Sequence, residues 1–222
     1  MRSDIKSYNV SGMGCSASAL CIDLAQNLLR VHKNSNAIVL STEVLSNGWY
    51  SGKEKSKLLI NCLFRMGSAA ILLSNKKEAR KNAKYLLLRT LRTLRAFDDK
   101  AYFSAIREED SDGKLGVTLK RDLLNVAGRG VIREVGKGLR LGEREIEAAL
   151  MTLHRFGNQS SSSLWYELAY LEAKENVKKG DNIWQLGMGS GPKCCSVVLK
   201  CNRPIFGEYE KGPWGDCIHQ YP

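Results

Sequence analysis

Apolar residues recur along the chain at two spacings, one typical of helices and the other typical of strands. Between residues 15 and 31, leucine and isoleucine return at roughly helical intervals, which predicts a helix that starts near Cys15 and runs to about Val31. Continuous apolar runs predict buried strands at residues 37–44 and 69–74. The polar, glycine-containing segment 45–58 between them is predicted to be a loop.

The middle of the chain predicts two strands and a helix. Residues 84–94 and 102–109 alternate between apolar and polar positions, so we expect two strands that pair with each other across the turn at 98–100. Residues 119–135 have a helical pattern, although two glycines weaken its centre.

The last third of the chain contains a serine run, a helix and two strands. The serines Ser160–Ser163 can cap a helix whose apolar face continues to Ala173 and which is expected to end near Gly180. Strands are predicted at 182–186 and 196–201, on either side of a glycine-rich turn. Because strands alternate with helices along the chain, the expected fold class is a layered α/β domain.

The charge balance favours anionic partners. The 222 residues include 34 Lys and Arg against 23 Asp and Glu, which gives a net charge of +11. Eight basic residues lie between Lys76 and Arg95, a cluster that can attract the phosphates of coenzyme A or an anionic membrane, or can form a solvated basic edge. Nucleic acid is a rival partner, but the cluster has one aromatic residue, Tyr85, and no recognition motif, so we expect no nucleic-acid binding.

Membrane spans and metal sites are not expected from the sequence. No apolar run approaches the ~18 residues of a membrane span, and the N-terminus has no signal-peptide core. The seven cysteines include no Cys-x-x-Cys pair, and their odd number favours reduced thiols in a cytosol-facing compartment. The one close Cys/His pair is Cys217 and His219, whose spacing is poor for zinc, so we expect no metal.

Cys15 is the strongest single candidate for chemistry. It follows Gly12 and Gly14, which let the backbone turn sharply, and it falls in the first turn of a predicted helix. Unpaired N–H groups and the positive end of the helix macrodipole stabilise a thiolate there, so a reactive nucleophile is predicted. The alternative interpretation is a small buried residue in a tight packing turn.

His154 and Asn158 lie four residues apart around a glycine. A histidine exchanges protons near neutral pH, and an asparagine amide can donate a hydrogen bond to an oxyanion. Alternatively, His154 is a core residue and Asn158 a turn residue. A cysteine, a histidine and an asparagine are also compatible with a thiol hydrolase. The glycines at 187–191 lack the spacing of a dinucleotide-binding fingerprint and favour a β-hairpin turn.

Three segments carry a family resemblance: Ser11-Gly-Met-Gly-Cys-Ser, residues 64–75, and the run 151–170 that begins Met-Thr-Leu-His-Arg-Phe-Gly-Asn. They closely resemble the plant 3-ketoacyl-CoA synthases, the condensing enzymes of very-long-chain fatty acid elongation. The resemblance implies a thiolase-like layered α/β fold, of which this chain holds an incomplete copy. It also implies decarboxylative Claisen condensation of an acyl-CoA with malonyl-CoA, without a tightly bound cofactor.

The same resemblance implies roles for the three candidate residues. Cys15 corresponds to the acylated nucleophile of the Gly-Met-Gly-Cys-Ser motif. Asn158 corresponds to the asparagine that helps to bind the malonyl thioester oxygen, and His154 to the histidine of the same motif. These roles agree with the chemistry inferred from the residues, a thiol nucleophile and an amide donor.

The resemblance further implies an organisation, a location and partners. Residues 1–120 correspond to the remainder of an N-terminal half, 121–201 to a shortened C-terminal half, and 202–222 to an irregular, loosely ordered tail. We expect association with the endoplasmic reticulum membrane and with other elongase subunits, and a homodimer or a pairing with an intact synthase. Since no span is predicted in this chain, it would be soluble or peripheral.

The chain departs from the family pattern mainly in its histidines. Leu94 and Arg89 stand where the family carries histidine, and residues 125–133 pass directly from one family segment to the end of a later one. The stretch left out includes the histidine pair expected to work with the asparagine. Loss of a general acid or base costs about 10²–10⁴-fold in rate. The alternative function is therefore a catalytically impaired or inactive truncated paralogue, either a non-enzymatic partner or a gene relic.

Overall fold

The computed structural model describes residues 3–95, 97–103, 105–119, 129–189, 193–207, 210 and 212–222. The helices are α1 (Ala17–Val31), α2 (Lys55–Leu63), α3 (Ala79–Asn82), α4 (Asp99–Tyr102), α5 (Arg129–Gly138), α6 (Glu143–Phe156) and α7 (Ser163–Ala173). The strands are β1 (Asn36–Glu43), β2 (Gly67–Ser74), β3 (Tyr85–Leu94), β4 (Ala105–Glu109), β5 (Leu115–Leu119), β6 (Asn182–Gly189) and β7 (Lys193–Cys201). Single 3-10 turns lie at Gly14–Ser16, Leu45–Gly48, Ser160–Ser162 and Ile218–Gln220.

Helix α1 forms the centre of the core. Its buried residues Ala19, Ile22 and Ala25 pack with residues of β1, β7 and α7, namely Val39, Leu164, Leu168, Cys195, Val197 and Leu199. The helix therefore joins the antiparallel β1–β2 sheet to the antiparallel sheet of order β3–β7–β6. The layered α/β architecture expected from the sequence is confirmed.

The pairing predicted between residues 84–94 and 102–109 is wrong. Strand β3 pairs with β7, from Tyr85 opposite Cys201 to Leu94 opposite Lys193. Strand β4 pairs instead with β5, across a turn in which Asp110 Oδ1 accepts the N–H groups of Asp112 and Lys114. The local turn gives β4 a nearby partner, while the apolar face of the distant β7 gives β3 a better one.

The segment 45–58 is not wholly loop, because α2 begins within it. The polarity pattern hid this helix because Lys57, although charged, is only 3% exposed. Its ammonium pairs with Glu54 and lies 3.9 Å from a carboxylate oxygen of Glu108 on β4. Paired in this way, a lysine can occupy a buried helical position.

Two predicted helix boundaries also differ from the structure. Leu119 ends β5, residues 120–128 lie outside the described residues, and the helix there is α5. The expected junction between the two halves falls in the same undescribed stretch. Helix α7 ends at Ala173 rather than near Gly180, because Glu175 adopts a left-handed conformation with φ +53°.

The C-terminal segment 202–222 is irregular in backbone, but it is not loosely ordered where it is described. The Trp214 side chain is fully buried, and its indole N–H donates to the Tyr166 carbonyl at 2.9 Å. The Tyr170 hydroxyl donates to the Pro222 carbonyl at 3.0 Å. One large buried aromatic side chain and these bonds hold the segment against α6 and α7, an anchor that its lack of periodicity concealed.

The described part of the chain meets neither the requirements of a membrane-spanning helix nor those of a metal site with three side-chain ligands. None of its helices has the length and apolar character to cross a bilayer. No cluster of three potential metal-ligating side chains occurs among the same residues. All seven cysteines are free thiols.

Glu167 on α7 makes the stability of the fold sensitive to pH. Burial raises the pKa of its carboxyl from 4.5 to about 8. Between those values the folded chain holds a proton that the unfolded chain releases, so the free energy of unfolding falls as the pH rises. We expect Glu167→Gln to reduce this fall, measured as urea midpoints from about pH 5 to about pH 8.5.

A matched control for this prediction is Glu143→Gln, which removes an exposed carboxylate at the start of α6. The control should keep the pH dependence of the parent protein. A Glu167→Gln variant whose urea midpoint falls as steeply as that of the parent would contradict the prediction.

Candidate functional site

Cys15 lies where the sequence predicts, on the 3-10 turn that leads directly into α1. The turn is built on Gly12 and Gly14, whose φ angles of +70° and +57° are left-handed conformations that suit glycine. The Ser16 hydroxyl closes the turn by donating to the Met13 carbonyl at 2.8 Å. The nucleophile candidate therefore sits on a sharply bent and internally bonded piece of backbone.

The glycines of β6 explain how this turn fits against the sheet. A Cβ atom at Gly189 would lie 2.4 Å from the Met13 carbonyl oxygen and 2.9 Å from the Ser16 nitrogen. A Cβ atom at Gly187 would lie 3.4 Å from Ser16 Cα. Strands β6 and β7 pair antiparallel, as the hairpin interpretation expects, but Gly187 and Gly189 lie within β6 rather than in the turn. The connection at 190–192 lies outside the described residues. These two glycines permit the close approach of strand and turn.

Asn158 is held next to the segment that leads into β2. Its backbone N–H donates to the Leu63 carbonyl at 2.8 Å, and its carbonyl accepts the Arg65 N–H at 2.8 Å. The preceding Gly157 has φ +71°, and a Cβ there would lie 3.1 Å from the Leu63 carbonyl oxygen. The turn expected at Asn158 is present, and it is fixed by backbone hydrogen bonds to Leu63 and Arg65.

Ser160 brings Cys15 and Asn158 together. Its backbone N–H donates to Asn158 Oδ1 at 2.7 Å, and its hydroxyl donates to Cys15 Sγ at 3.3 Å. Sequence reasoning treated this serine only as part of a helix-capping run. A serine two residues after an asparagine is a signal for an Asx turn, but its contact with a cysteine 145 positions away has no local signal.

The thiol at this site is not shifted toward the thiolate as expected. Burial raises the pKa of the Cys15 thiol, the Ser160 hydrogen bond lowers it, and the carboxylate of Glu43 on β1 raises it again. The net direction is upward, so the predicted lowering of the thiol pKa is wrong. Loss of hydration outweighs the hydrogen bond at this half-buried position.

His154 is placed apart from the other two candidates. It is exposed near the end of α6, which rules out the core interpretation, and its Nδ1 lies 3.3 Å from the Tyr221 hydroxyl. The two rings meet edge to face, with their centroids 5.8 Å apart. The structure therefore joins Cys15 to Asn158 but pairs His154 with the C-terminal segment.

An open cleft of about 930 Å³ borders the Asn158 turn. It is lined by apolar and basic side chains together with Gly157 and Gln159: Leu45, Cys62, Leu63, Arg65, Met66, Leu153, His154, Arg155 and Phe156. Gln159 is buried, and its Oε1 has no hydrogen-bond partner among the described residues. Cys15 is not part of the lining; the lining residue next in sequence to its partner Ser160 is Gln159.

Comparison with known sequences identifies relatives of the chain. The family model described as FAE1/type III polyketide synthase-like protein matches residues 1–139, and the model for the C-terminal part of 3-oxoacyl-(acyl-carrier-protein) synthase III matches residues 119–201. The 3-ketoacyl-CoA synthases 5 and 6 of Arabidopsis thaliana are 43% and 42% identical over the whole of this chain and 56% of their own lengths. The chain thus spans a little over half of these relatives.

The alignments with these relatives also bear on the internal family segment that is expected to be missing from this chain. Each alignment runs over 279 positions, whereas the chain has 222 residues and is matched from end to end. The relatives therefore carry internal residues that this chain lacks.

Solved structures with the same fold include type III polyketide synthases. The tetrahydroxynaphthalene synthase of Streptomyces coelicolor, a type III polyketide synthase, matches 87% of this chain and 62% of its own, with TM-score 0.71 and 18% identity. The polyketide synthase domain of Steely1 from Dictyostelium matches 90% of this chain and 63% of its own, with TM-score 0.76 and 14% identity. The fold is thus thiolase-like, and with more than half of its residues matched by the family model, the chain belongs to the FAE1/type III polyketide synthase-like family.

Proposed function

We propose that the chain is a very-long-chain 3-oxoacyl-CoA synthase, which condenses an acyl-CoA with malonyl-CoA through an acyl-cysteine intermediate. The observation that carries the proposal is the hydrogen-bond bridge through Ser160, which links the Cys15 thiol to the Asn158 side chain. The similarity to 3-ketoacyl-CoA synthases supports this substrate class. No cofactor is needed, because both steps use only the thiol, the thioesters and hydrogen-bond donors.

In the loading step, the Cys15 sulfur attacks the thioester carbonyl of the acyl-CoA. The new bond joins the acyl carbon to Sγ, the bond from that carbon to the sulfur of coenzyme A breaks, and the departing thiol takes up a proton as Cys15 loses one. The cleft beside Asn158 supplies apolar side chains for the acyl chain, including Leu63 and Met66. Arg65 and Arg155 line the same cleft, and their guanidinium groups favour binding of the phosphates of coenzyme A.

In the condensation step, malonyl-CoA loses carbon dioxide and its enolate carbon attacks the acyl-cysteine carbonyl. The bond from that carbon to Sγ breaks, and Cys15 leaves as a thiolate that takes up a proton from water. Since Asn158 Oδ1 accepts the Ser160 N–H, the Nδ2 amino group is left to donate to the enolate oxygen. His154 lines the cleft, and its Nε2 has no partner among the described residues. We assign His154 a hydrogen bond to the malonyl thioester from the cleft wall.

The proposed setting is the endoplasmic reticulum membrane, with the chain attached peripherally or through other elongase subunits. A second synthase chain, either another copy or an intact relative, is the proposed partner. The positive net charge suits an anionic surface and anionic thioester substrates, and no nucleic-acid partner is proposed.

The two steps are tested separately. A radiolabelled long-chain acyl-CoA should label the chain at Cys15, and Cys15→Ala should remove the label. The matched control is Cys62→Ala, which removes an exposed thiol from the cleft and should leave the Cys15 label in place. Absence of any label at Cys15 would overturn the proposed function.

Condensation is measured with radiolabelled malonyl-CoA in microsomes that lack other condensing enzymes. We expect little 3-oxoacyl-CoA, formed about 10²–10⁴-fold more slowly than with an intact synthase, because the histidine pair expected to work with Asn158 is left out of this chain. Cys15→Ala should abolish the product. Loading without any product would instead establish the impaired paralogue.

A further inference from the structure

Ser160 stands between Cys15 and Asn158, the two residues that the proposed function uses, and the mechanism described above gives its hydroxyl no role. We propose that Ser160 is a positioning residue: its hydroxyl holds the Cys15 sulfur while its backbone N–H fixes the orientation of the Asn158 amide. The inference rests on the proposed function for its purpose, but its geometry stands by itself. The two hydrogen bonds are 3.3 Å and 2.7 Å long.

The backbone of Ser160 indicates that this placement has a cost. Its φ is +55°, a left-handed conformation that glycine adopts freely and a serine adopts with strain. Ser160 is also buried, so its hydroxyl needs a partner inside the protein. The partner is Cys15 Sγ. A strained, buried serine whose hydroxyl points at the candidate nucleophile is the geometry expected of a positioning residue.

The neighbouring serines have different tasks. The hydroxyls of Ser161 and Ser162 lie 2.8 Å and 3.0 Å from the Ser41 hydroxyl on β1, and neither of them bonds to Cys15. The Ser161 carbonyl accepts the hydroxyl of Ser18 on α1. These bonds fasten the serine turn to β1 and α1. The contact with the sulfur belongs to Ser160, and Ser161 provides a matched control from the same turn.

Charged and titratable groups near the Cys15 turn set the conditions under which the Ser160 hydroxyl acts on the pKa of the thiol. Glu43 of β1 disfavours a thiolate, and so does burial. From β7, the Cys195 thiol interacts with Ser16, and Lys193 Nζ donates to the Gly12 carbonyl at 3.4 Å. A hydroxyl that donates to the sulfur favours the thiolate, so removing it should raise the pKa of Cys15 further.

The test is the pH profile of iodoacetamide alkylation, followed at Cys15 by peptide mass spectrometry in the whole chain. Ser160→Gly removes the hydroxyl and relieves the left-handed strain, so we expect this variant to fold, and Ser160→Ala removes the hydroxyl alone. We expect both to shift the midpoint of the profile up by about one pH unit, a rate about tenfold lower near pH 8. The limiting rate at high pH reports access to the sulfur and should not fall.

Ser161→Ala should leave the midpoint where it is in the parent chain. The proposal is overturned if Ser160→Gly alkylates with the parental midpoint, if Ser161→Ala shifts the midpoint equally, or if Cys15 reacts in no variant. Failure of the proposed function has a different signature. In that case, acyl-CoA leaves Cys15 unlabelled while the alkylation midpoint still moves in Ser160→Gly.

Discussion

Replacing Trp214 by alanine is expected to lower the free energy of unfolding by about 3–5 kcal/mol. The side chain is fully buried, and its indole donates to the Tyr166 carbonyl. Its ring meets those of Phe156, Tyr170 and Tyr221 edge to face, with centroids 4.9–5.1 Å apart. Alanine would leave a cavity in this cluster and a carbonyl without its donor.

Urea denaturation of the whole chain measures this loss. Trp49→Ala is the control, because Trp49 is 61% exposed and its removal should change stability by less than about 0.5 kcal/mol. Trp214→Phe keeps an aromatic ring but removes the donor, so its loss should fall between the two. A Trp214→Ala variant as stable as Trp49→Ala would show that the C-terminal segment does not dock as described.

The docked segment has a consequence for the candidate site. Three consecutive residues of α6 contact it: His154 meets Tyr221, Arg155 lies 3.5 Å from Asp216 and 3.4 Å from the Cys217 sulfur, and Phe156 packs on Trp214. These residues lead directly to the Asn158 turn. The C-terminal segment therefore fixes the end of α6 from which Asn158 projects, and it also accounts for the position of His154.

Local sequence features predict the part of the site that is built from local structure. The helical spacing of apolar residues placed α1 correctly, and the two glycines before Cys15 indicated the sharp turn that the structure contains. The α/β class followed from the alternation of elements. Each of these inferences depends on residues within a few positions of one another, where backbone preference and periodicity act directly.

Contacts between distant residues could not be predicted in the same way. The pairing of β3 with β7 joins residues 99 to 116 positions apart, and Ser160 lies 145 positions from Cys15. The pKa of the Cys15 thiol depends on burial by those distant elements, so the local helix-terminus argument gave the wrong direction. Non-local packing decided each of these outcomes.

The basic cluster between Lys76 and Arg95 shows the same division. Its charge is evident from the sequence, but two of its basic residues form ion pairs with acidic residues of the same chain. Arg92 Nε lies 3.0 Å from a carboxylate oxygen of Asp23 on α1, and Lys84 Nζ lies 3.0 Å from Glu172 on α7. These pairs connect β3, and the lysine that immediately precedes it, to two helices. They favour the basic-edge interpretation over a surface devoted to a large anionic partner.

Replacing Gly189 by alanine is expected to disturb the turn that carries Cys15 and to cost about 1–3 kcal/mol of unfolding free energy. The added Cβ would lie 2.4 Å from the Met13 carbonyl oxygen and 2.6 Å from the Ser16 hydroxyl oxygen. The nearest atom belongs to the backbone and cannot rotate away, so β6 or the turn must shift. Urea denaturation measures the energetic loss, and alkylation of Cys15 reports the shift of the turn.

Two other glycines make the comparison a graded one. At Gly187 the nearest atoms to an added Cβ are Leu164 Cδ1 at 3.3 Å and Ser16 Cα at 3.4 Å, so Gly187→Ala should cost less than Gly189→Ala. At Gly138, near the end of α5, a Cβ meets nothing within 4 Å, and alanine suits a helix. If Gly189→Ala were as stable as Gly138→Ala and alkylated at Cys15 at the parental rate, β6 would not pack against the nucleophile turn. A loss of unfolding free energy that decreases in the order Gly189→Ala, Gly187→Ala, Gly138→Ala would establish that β6 packs directly against the nucleophile turn. Glycine permits that contact because it has no side chain.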